Sequence, residues 1–294
     1  MSKVIVVCGP TGVGKSKVAI ELAKKLNGEI INADSQQVYK GMNIGTAKVT
    51  KEEQEGIEHH LLNIANITDD YSVYNYQSDC RKTIVDIVSR GKTPILVGGT
   101  GLYIKAALYD YDFNDEEENY DYSEYTNEEL YKQLTDVDPK TRVHINNRKR
   151  IERALTFYKN NNKPQSNNKK SETLLCDAVF IGLTTDRDKL YKIINSRVDK
   201  MIDNGLIEEA KELYSKEKTR ALLTPICYKE LFEHFDGNIT KEEAIELIKK
   251  RSRKYAKRQY TWFRNQLDVN WYEVDFDNVD NTIEDIVDYL EWSK

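Results

Sequence analysis

Cysteine and histidine are scarce, four of each in 294 residues, and neither type clusters. Cys8, Cys80, Cys176 and Cys227 lie far apart with no C-x-x-C pair. That spacing argues against a disulfide framework and an appended zinc finger, and reduced thiols in a cytoplasmic protein are expected. His59 and His60 are adjacent, but no cysteine or carboxylate cluster accompanies them at ligand spacing, so a structural role is expected rather than a metal site. His144 and His234 are isolated. Nothing approaches the roughly 18 consecutive apolar residues of a membrane span, and no secretory leader is apparent. A transmembrane or secreted role is not expected. Positive charge is not in excess either: a net charge of −5 argues against a protein that coats polyanions indiscriminately. The distribution is nevertheless uneven. Acid is dense from Asp110 to Glu129 around Glu116, Glu117 and Glu118, whereas base is dense from Lys140 to Arg153 and from Lys249 to Arg264, two candidate phosphate contacts.

What is present is a phosphate loop. Gly9-Pro10-Thr11-Gly12-Val13-Gly14-Lys15-Ser16 follows the apolar run Val4 to Val7 and opens a helical pattern, which is the strand, glycine loop and helix setting that a P-loop requires. Glycines let backbone N–H groups converge on phosphate oxygens, and the helix adds its positive end. Lys15 supplies a point charge and Ser16 a hydroxyl for Mg²⁺. A diphosphate or triphosphate group is expected here.

Strands are predicted at Val4–Val7, Glu29–Ala33, Pro94–Val97 and Ala178–Leu183. They alternate with helices near Ser16–Leu26, Gln77–Ser89, Asp188–Asn204 and Leu206–Tyr214, a pattern that predicts an α/β fold with a mostly parallel sheet covered on both faces. The site is expected at the carboxyl ends of those strands. There the chain places the P-loop, Asp34-Ser35-Gln36-Gln37, Gly98-Gly99-Thr100-Gly101 and Asp186-Arg187. Residues 110–177 read as an insertion, with helices at Asn127–Leu134 and Asn147–Tyr158, an Asp138-Pro139 break, and a polar run Asn160–Ser171 that is either a closing loop or a plain connector. The expected division is a P-loop core of residues 1–109 and 178–294 with C-terminal helices, the longest at Lys241–Asn265, and a helical domain of residues 110–177.

A P-loop alone fits kinases and NTP hydrolases as well as other pyrophosphate-binding enzymes. The third predicted strand runs into Gly98-Gly99-Thr100-Gly101 and offers no Walker B carboxylate, which weakens a hydrolase reading and leaves a small-molecule or nucleoside kinase as the alternative.

Together, Gly9–Ser16, Asp34–Tyr39, Gly45-Thr46-Ala47-Lys48 and Gly98–Tyr103 resemble the bacterial tRNA dimethylallyltransferase family. The resemblance continues in order through Asn146–Leu155, Arg197–Met201 and Lys257–Arg264. It implies transfer of a dimethylallyl group from dimethylallyl diphosphate to N6 of adenine 37 in the tRNA anticodon stem-loop, with Mg²⁺, by a cytoplasmic protein expected to act as a monomer without ATP as cosubstrate. By the same resemblance Gly9, Pro10, Thr11, Gly12, Val13, Gly14, Lys15 and Ser16 hold the diphosphate, Ser16 faces Mg²⁺, Arg197 (with Arg187 behind it) assists the leaving group, and Asp34 serves the attacking amine. Implied tRNA contacts are Asp34, Ser35, Gln36, Gln37, Thr100, Lys149, Arg150, Ile151, Glu152, Arg153, Thr224, Lys229, Lys257, Arg258 and Arg264. Tyr260, Trp262 and Phe263 are candidate base-stacking surfaces or, alternatively, core anchors. Three departures stand out: Ser16 where the family commonly has Thr, Ile145 where it has Pro, and Cys227 where it has Gly.

Overall fold

The computed structural model describes residues 3–110, 120–167 and 173–292. The Glu116–Glu118 acidic centre and residues 168–171 of the polar run lie outside them. Two compact units are formed, Met1–Leu108 with Leu174–Lys294, and Tyr109–Thr173.

The first unit is built on six strands: β1 (Val4–Cys8), β2 (Gly28–Asn32), β3 (His59–His60), β4 (Thr93–Gly98), β5 (Ala178–Thr184) and β6 (Asn270–Glu273). Their order is β3-β2-β4-β1-β5-β6, and every pair is parallel. All residues of β1 and β2 are buried, as expected of strands with both faces covered. Along the chain lie α1 (Lys15–Lys25), α2 (Val73–Ser89), α3 (Gly101–Leu108), α4 (Asn127–Val137), α5 (Arg148–Asn161), α6 (Arg187–Asp203), α7 (Leu206–Tyr214), α8 (Arg220–Leu223), α9 (Tyr228–Phe235), α10 (Lys241–Gln266) and α11 (Val279–Trp292). Among the described residues, no helix is long and apolar enough to cross a membrane.

Local chemistry sets the helix ends. The second helix begins at Val73 rather than at the expected Gln77 because Ser72 and Asn75 form a reciprocal capping box. Asp186 caps α6 by accepting from the Asp188 and Lys189 amides at 2.8 and 2.9 Å. Capping boxes at Thr126 and Thr240 start α4 and α10 in the same way.

The one acid in β2, Glu29, has a side chain only 3% exposed. It receives Arg90 at 2.5 Å, Lys92 at 2.6 Å and His60 at 2.7 Å, and the Arg90 bond chiefly holds its carboxyl well below the usual carboxylate range. His60 therefore has a structural partner, His59 bonds the Ile57 carbonyl at 2.8 Å, and no metal-binding cluster occurs among the described residues.

The second unit has its own small core of Tyr122, Leu130, Leu134, Ile151, Ala154 and Leu155. Asp138 ends α4 and accepts from the Ser166 amide at 2.9 Å. Arg148 starts α5 by donating to the carbonyls of Tyr122 and Tyr125 at 2.6 and 2.8 Å.

Candidate active site

The carboxyl ends of β1, β2 and β4 open into a cleft of about 1180 Å³ within the first unit. Its floor is the loop between β1 and α1, in which Gly9, Gly12 and Gly14 take φ of 141°, 85° and 93°. Those are conformations that side-chain-bearing residues rarely adopt. At Gly9 space is also decisive, because a Cβ would lie 2.6 Å from the Leu183 carbonyl oxygen. Thr11, Gly12, Gly14, Lys15 and Ser16 line the cleft. Gly9 and Pro10 are buried beneath them, and Val13 belongs to the core. Their part in holding an anion is to shape the backbone.

Lys15 donates to the Pro10 carbonyl at 2.8 Å. Burial, then Arg197 nearby, pushes its ammonium down to about 8. Arg197, on α6, donates from Nη1 to the Thr11 hydroxyl at 3.2 Å, and burial likewise lowers its affinity for the proton. Two partly buried cations thus face one loop, a setting that favours an anionic group.

Opposite them stands Asp34, at the end of β2. Its Oδ1 accepts from the Gln36 amide at 2.9 Å, and its own amide is fixed by Asn32 Oδ1 at 3.1 Å. Burial raises the Asp34 carboxyl above its ordinary value, while the Gln36 and Gln37 amides, Lys15 and Arg197 pull the other way. Ser35 donates its amide to Thr100 Oγ1 at 3.0 Å, so the β2 and β4 loops form one surface. Gly98 allows that approach, since a Cβ there would lie 2.1 Å from the Ala33 oxygen. Gln37 reaches the Thr46 and Ala47 carbonyls at 3.1 and 3.3 Å, and Gln36 Oε1 is buried at the cleft with no hydrogen-bond partner among the described residues.

Other expected residues separate into two groups. Thr224 and Arg258 line the cleft, and Lys257 and Arg264 are exposed on α10. Lys229 is half-buried on α9. In the second unit, Lys149, Arg150 and Arg153 are exposed on α5, Glu152 pairs with Arg148 at 2.7 Å, and Ile151 is 0% exposed. Ile151, expected among the tRNA contacts, is therefore a packing residue whose side chain has nothing to offer a ligand. Arg187 is exposed, with its guanidinium 5.2 Å from the Tyr191 ring. The aromatics of α10 act as anchors: Phe263 is fully buried, Trp262 fills the space a Gly101 Cβ would need, and Tyr260 bonds Thr184 Oγ1 at 3.0 Å.

Two further residues escape sequence reasoning. Gln259, on α10, accepts from the Thr11 amide at 2.8 Å and donates to the Gly99 carbonyl at 3.0 Å. Glu209, on α7, accepts from the amides of Asn43, Ile44 and Gly45 at 2.9, 2.9 and 3.0 Å and from Tyr228 Oη at 2.8 Å. Helical spacing with Ala256 and Phe263 marks Gln259 as inward-facing, which is the one signal the sequence carries. Glu209 has none.

The arrangement can hold a diphosphate against two cations while presenting a carboxylate to a second reactant. The IPP transferase family model matches residues 37–266. A tRNA dimethylallyltransferase from Anoxybacillus flavithermus is 48% identical over 299 residues, covering 98% of this chain and 96% of that one. Its counterpart from Geobacillus kaustophilus is 49% identical over 285 residues, or 92% and 90% of the two chains. Among solved structures, the tRNA isopentenylpyrophosphate transferase of Staphylococcus epidermidis superposes with a TM-score of 0.76 at 40% identity, covering 100% of both chains. A eukaryotic dimethylallyltransferase described as acting on tRNA gives 0.81 at 33% identity over 93% of this chain and 74% of that one. This chain belongs to the IPP transferase family, that of the bacterial tRNA dimethylallyltransferases.

Proposed function

We propose that the protein transfers a dimethylallyl group from dimethylallyl diphosphate to N6 of adenine 37, in the anticodon stem-loop of tRNA, releasing diphosphate. The observation that carries this reading is the opposition of Asp34 to Lys15 and Arg197 in one cleft: an acceptor of protons faces an acceptor of anions. The new bond joins N6 to the allylic carbon as the carbon–oxygen bond breaks, and its electrons leave on the diphosphate. Lys15, Arg197 and the loop amides stabilise that growing charge, where electrostatic assistance counts most. Asp34 takes the N6 proton, which becomes acidic only as the bond forms, so its position matters more than its resting basicity. Gln36 Oε1, buried without a partner among the described residues, is available to the acceptor.

Mg²⁺ fits the donor set. Ser16, exposed at the start of α1, supplies a hydroxyl beside the loop. Ser16 would hold Mg²⁺ at this point, and the ion would neutralise charge on the diphosphate. Adenine 37 lies in a single-stranded loop, where exposing a base costs less than in a duplex. Thr100, Thr224, Lys229, Lys257, Arg258 and Arg264, with Lys149, Arg150 and Arg153 of the second unit, are the proposed contacts to RNA. The family resemblance further implies a monomer acting in the cytoplasm.

The test is to incubate the protein with unmodified tRNA, Mg²⁺ and dimethylallyl diphosphate, without ATP, and analyse the digested nucleosides by mass. An adenosine carrying one dimethylallyl group is expected. A product that forms only with ATP and carries phosphate would establish the kinase alternative instead.

A further inference from the structure

Gln259 is 5% exposed, and its amide joins two loops that are 248 and 160 residues away in sequence. One neighbour, the Thr11 amide, can only donate, and the other, the Gly99 carbonyl, can only accept, so the side chain has a single orientation. Gly99 makes room for it: a Cβ at that position would lie 2.1 Å from Gln259 Nε2. Thr11 in turn receives Arg197 on its hydroxyl. The surrounding block, Lys257 to Arg264, is one that the family resemblance connects with tRNA, yet Gln259 is buried while its neighbours Lys257 and Arg258 are exposed.

We propose that Gln259 is a positioning residue for the diphosphate donor and not an RNA contact. It holds the Thr11 peptide, and through Thr11 the Arg197 guanidinium, in register with the β4 loop that carries Thr100. The leaving group and the acceptor are thereby kept at a fixed separation, and a misplacement of about 1 Å at such a point costs on the order of 100-fold in rate. This inference rests on the transfer reaction proposed above.

Gln259→Met keeps length and volume but makes neither hydrogen bond. We expect kcat for prenyl transfer to fall at least tenfold and pyrophosphate affinity, measured by calorimetry, to weaken several-fold, with the tRNA Kd unchanged and the Tm lowered because the Thr11 amide and the Gly99 carbonyl lose their partner. Gln259→Glu keeps the acceptor for Thr11, loses the donor and adds a charge beside the loop. Its pyrophosphate deficit should shrink as pH falls and the carboxyl protonates, a profile that a packing role does not produce. Normal kcat and pyrophosphate affinity in Gln259→Met would overturn the proposal, as would a loss confined to tRNA binding. Failure of the wild-type protein to prenylate tRNA would instead remove the transfer reading, and the pyrophosphate calorimetry, which needs no turnover, would still decide the role of Gln259.

Discussion

Asp34 and Lys15 are tuned in opposite directions by the same burial, and each shift carries a pH dependence whose sign can be worked out. A buried carboxyl with a raised pKa stays protonated to higher pH, so the acid limb of the activity profile should lie above the ordinary Asp range. The folded state then binds more protons than the unfolded one, and stability from this group falls as pH rises through the raised value. Asp34→Asn preserves the acceptor for the Gln36 amide but is no base. It is expected to lower kcat by roughly 10²–10⁴-fold with the tRNA Kd unchanged, and single-turnover assays beside filter binding would check this. For Lys15, held at about 8, the free loop loses its charge at mildly alkaline pH. Pyrophosphate binding favours the ammonium, so above about pH 8 binding should take up protons and weaken, which calorimetry in buffers of different ionisation enthalpy detects. Stability has the opposite slope there: the folded state binds fewer protons than the unfolded one between about 8 and 10.5, so this contribution rises with pH. Cys227 is the other residue under tension. Its φ of 100° and ψ of −59° lie where side-chain-bearing residues rarely sit, and its amide bonds Glu230 Oε2 at 2.8 Å. A Gly, which the resemblance implies at this position, would adopt that backbone without strain. Removing the thiol in two ways separates strain from packing: Cys227→Gly should be more stable than Cys227→Ala by about 1–2 kcal/mol in denaturant titrations.

Two helices organise the loops that the strands leave open. The long helix α10 bonds the P-loop and the β4 loop through Gln259, and it fixes α6, which carries Arg197, through Arg253 to Asn195 at 2.5 Å and Lys249 to Asp199 at 2.8 Å. On α7, Glu209 closes three successive backbone amides and Tyr228 around one carboxylate. Converging amides of this kind form an anion cradle, here filled by the protein itself. Gly45 is required beside it, because a Cβ would meet the Tyr228 ring at 2.6 Å. Glu209→Ala should therefore cost about 1.5–3 kcal/mol in stability, accelerate hydrogen exchange at the amides of residues 43–45, and raise the KM for tRNA, since Gln37 leans on the same turn. Slow exchange retained at those amides would show that the turn holds itself. These ties explain what the sequence reveals and what it conceals. Four of the six strands, the P-loop and Asp34 are legible because each depends on a local pattern, an apolar run followed by turn or glycine residues. The two-residue β3 and four-residue β6 are too short for a period to register. Gln259 and Glu209 are hidden because their partners are backbone atoms far along the chain, and the glycines at 98, 99 and 101, which the sequence marks only as a strand end without a carboxylate, make room for the Ala33 backbone, Gln259 and Trp262.

At the scale of the whole molecule, a protein with net charge −5 must bind a polyanion if the proposed reaction is right, so local basic surface has to outweigh the mean. The helix α5 shows how the arginines are divided between fold and surface. Arg148 donates to the carbonyls of Tyr122 and Tyr125 and pairs with Glu152, and is thereby committed to the second unit's structure. Arg150 and Arg153, three residues apart on the same helix, are exposed. Each phosphate contact contributes about 0.7–0.9 to the slope of log K against log salt, depending on whether the contacted strand is single or paired. Combining Arg150→Ala with Arg153→Ala should therefore reduce that slope by about 1.4–1.8, weaken tRNA binding most at low salt, and leave the Tm where it was. Arg148→Ala should do the reverse, lowering the Tm with a smaller change in slope. An unaltered slope in the double variant would make Arg150 and Arg153 merely solvated charges, and recognition would then fall to the basic residues of α10 and the cleft.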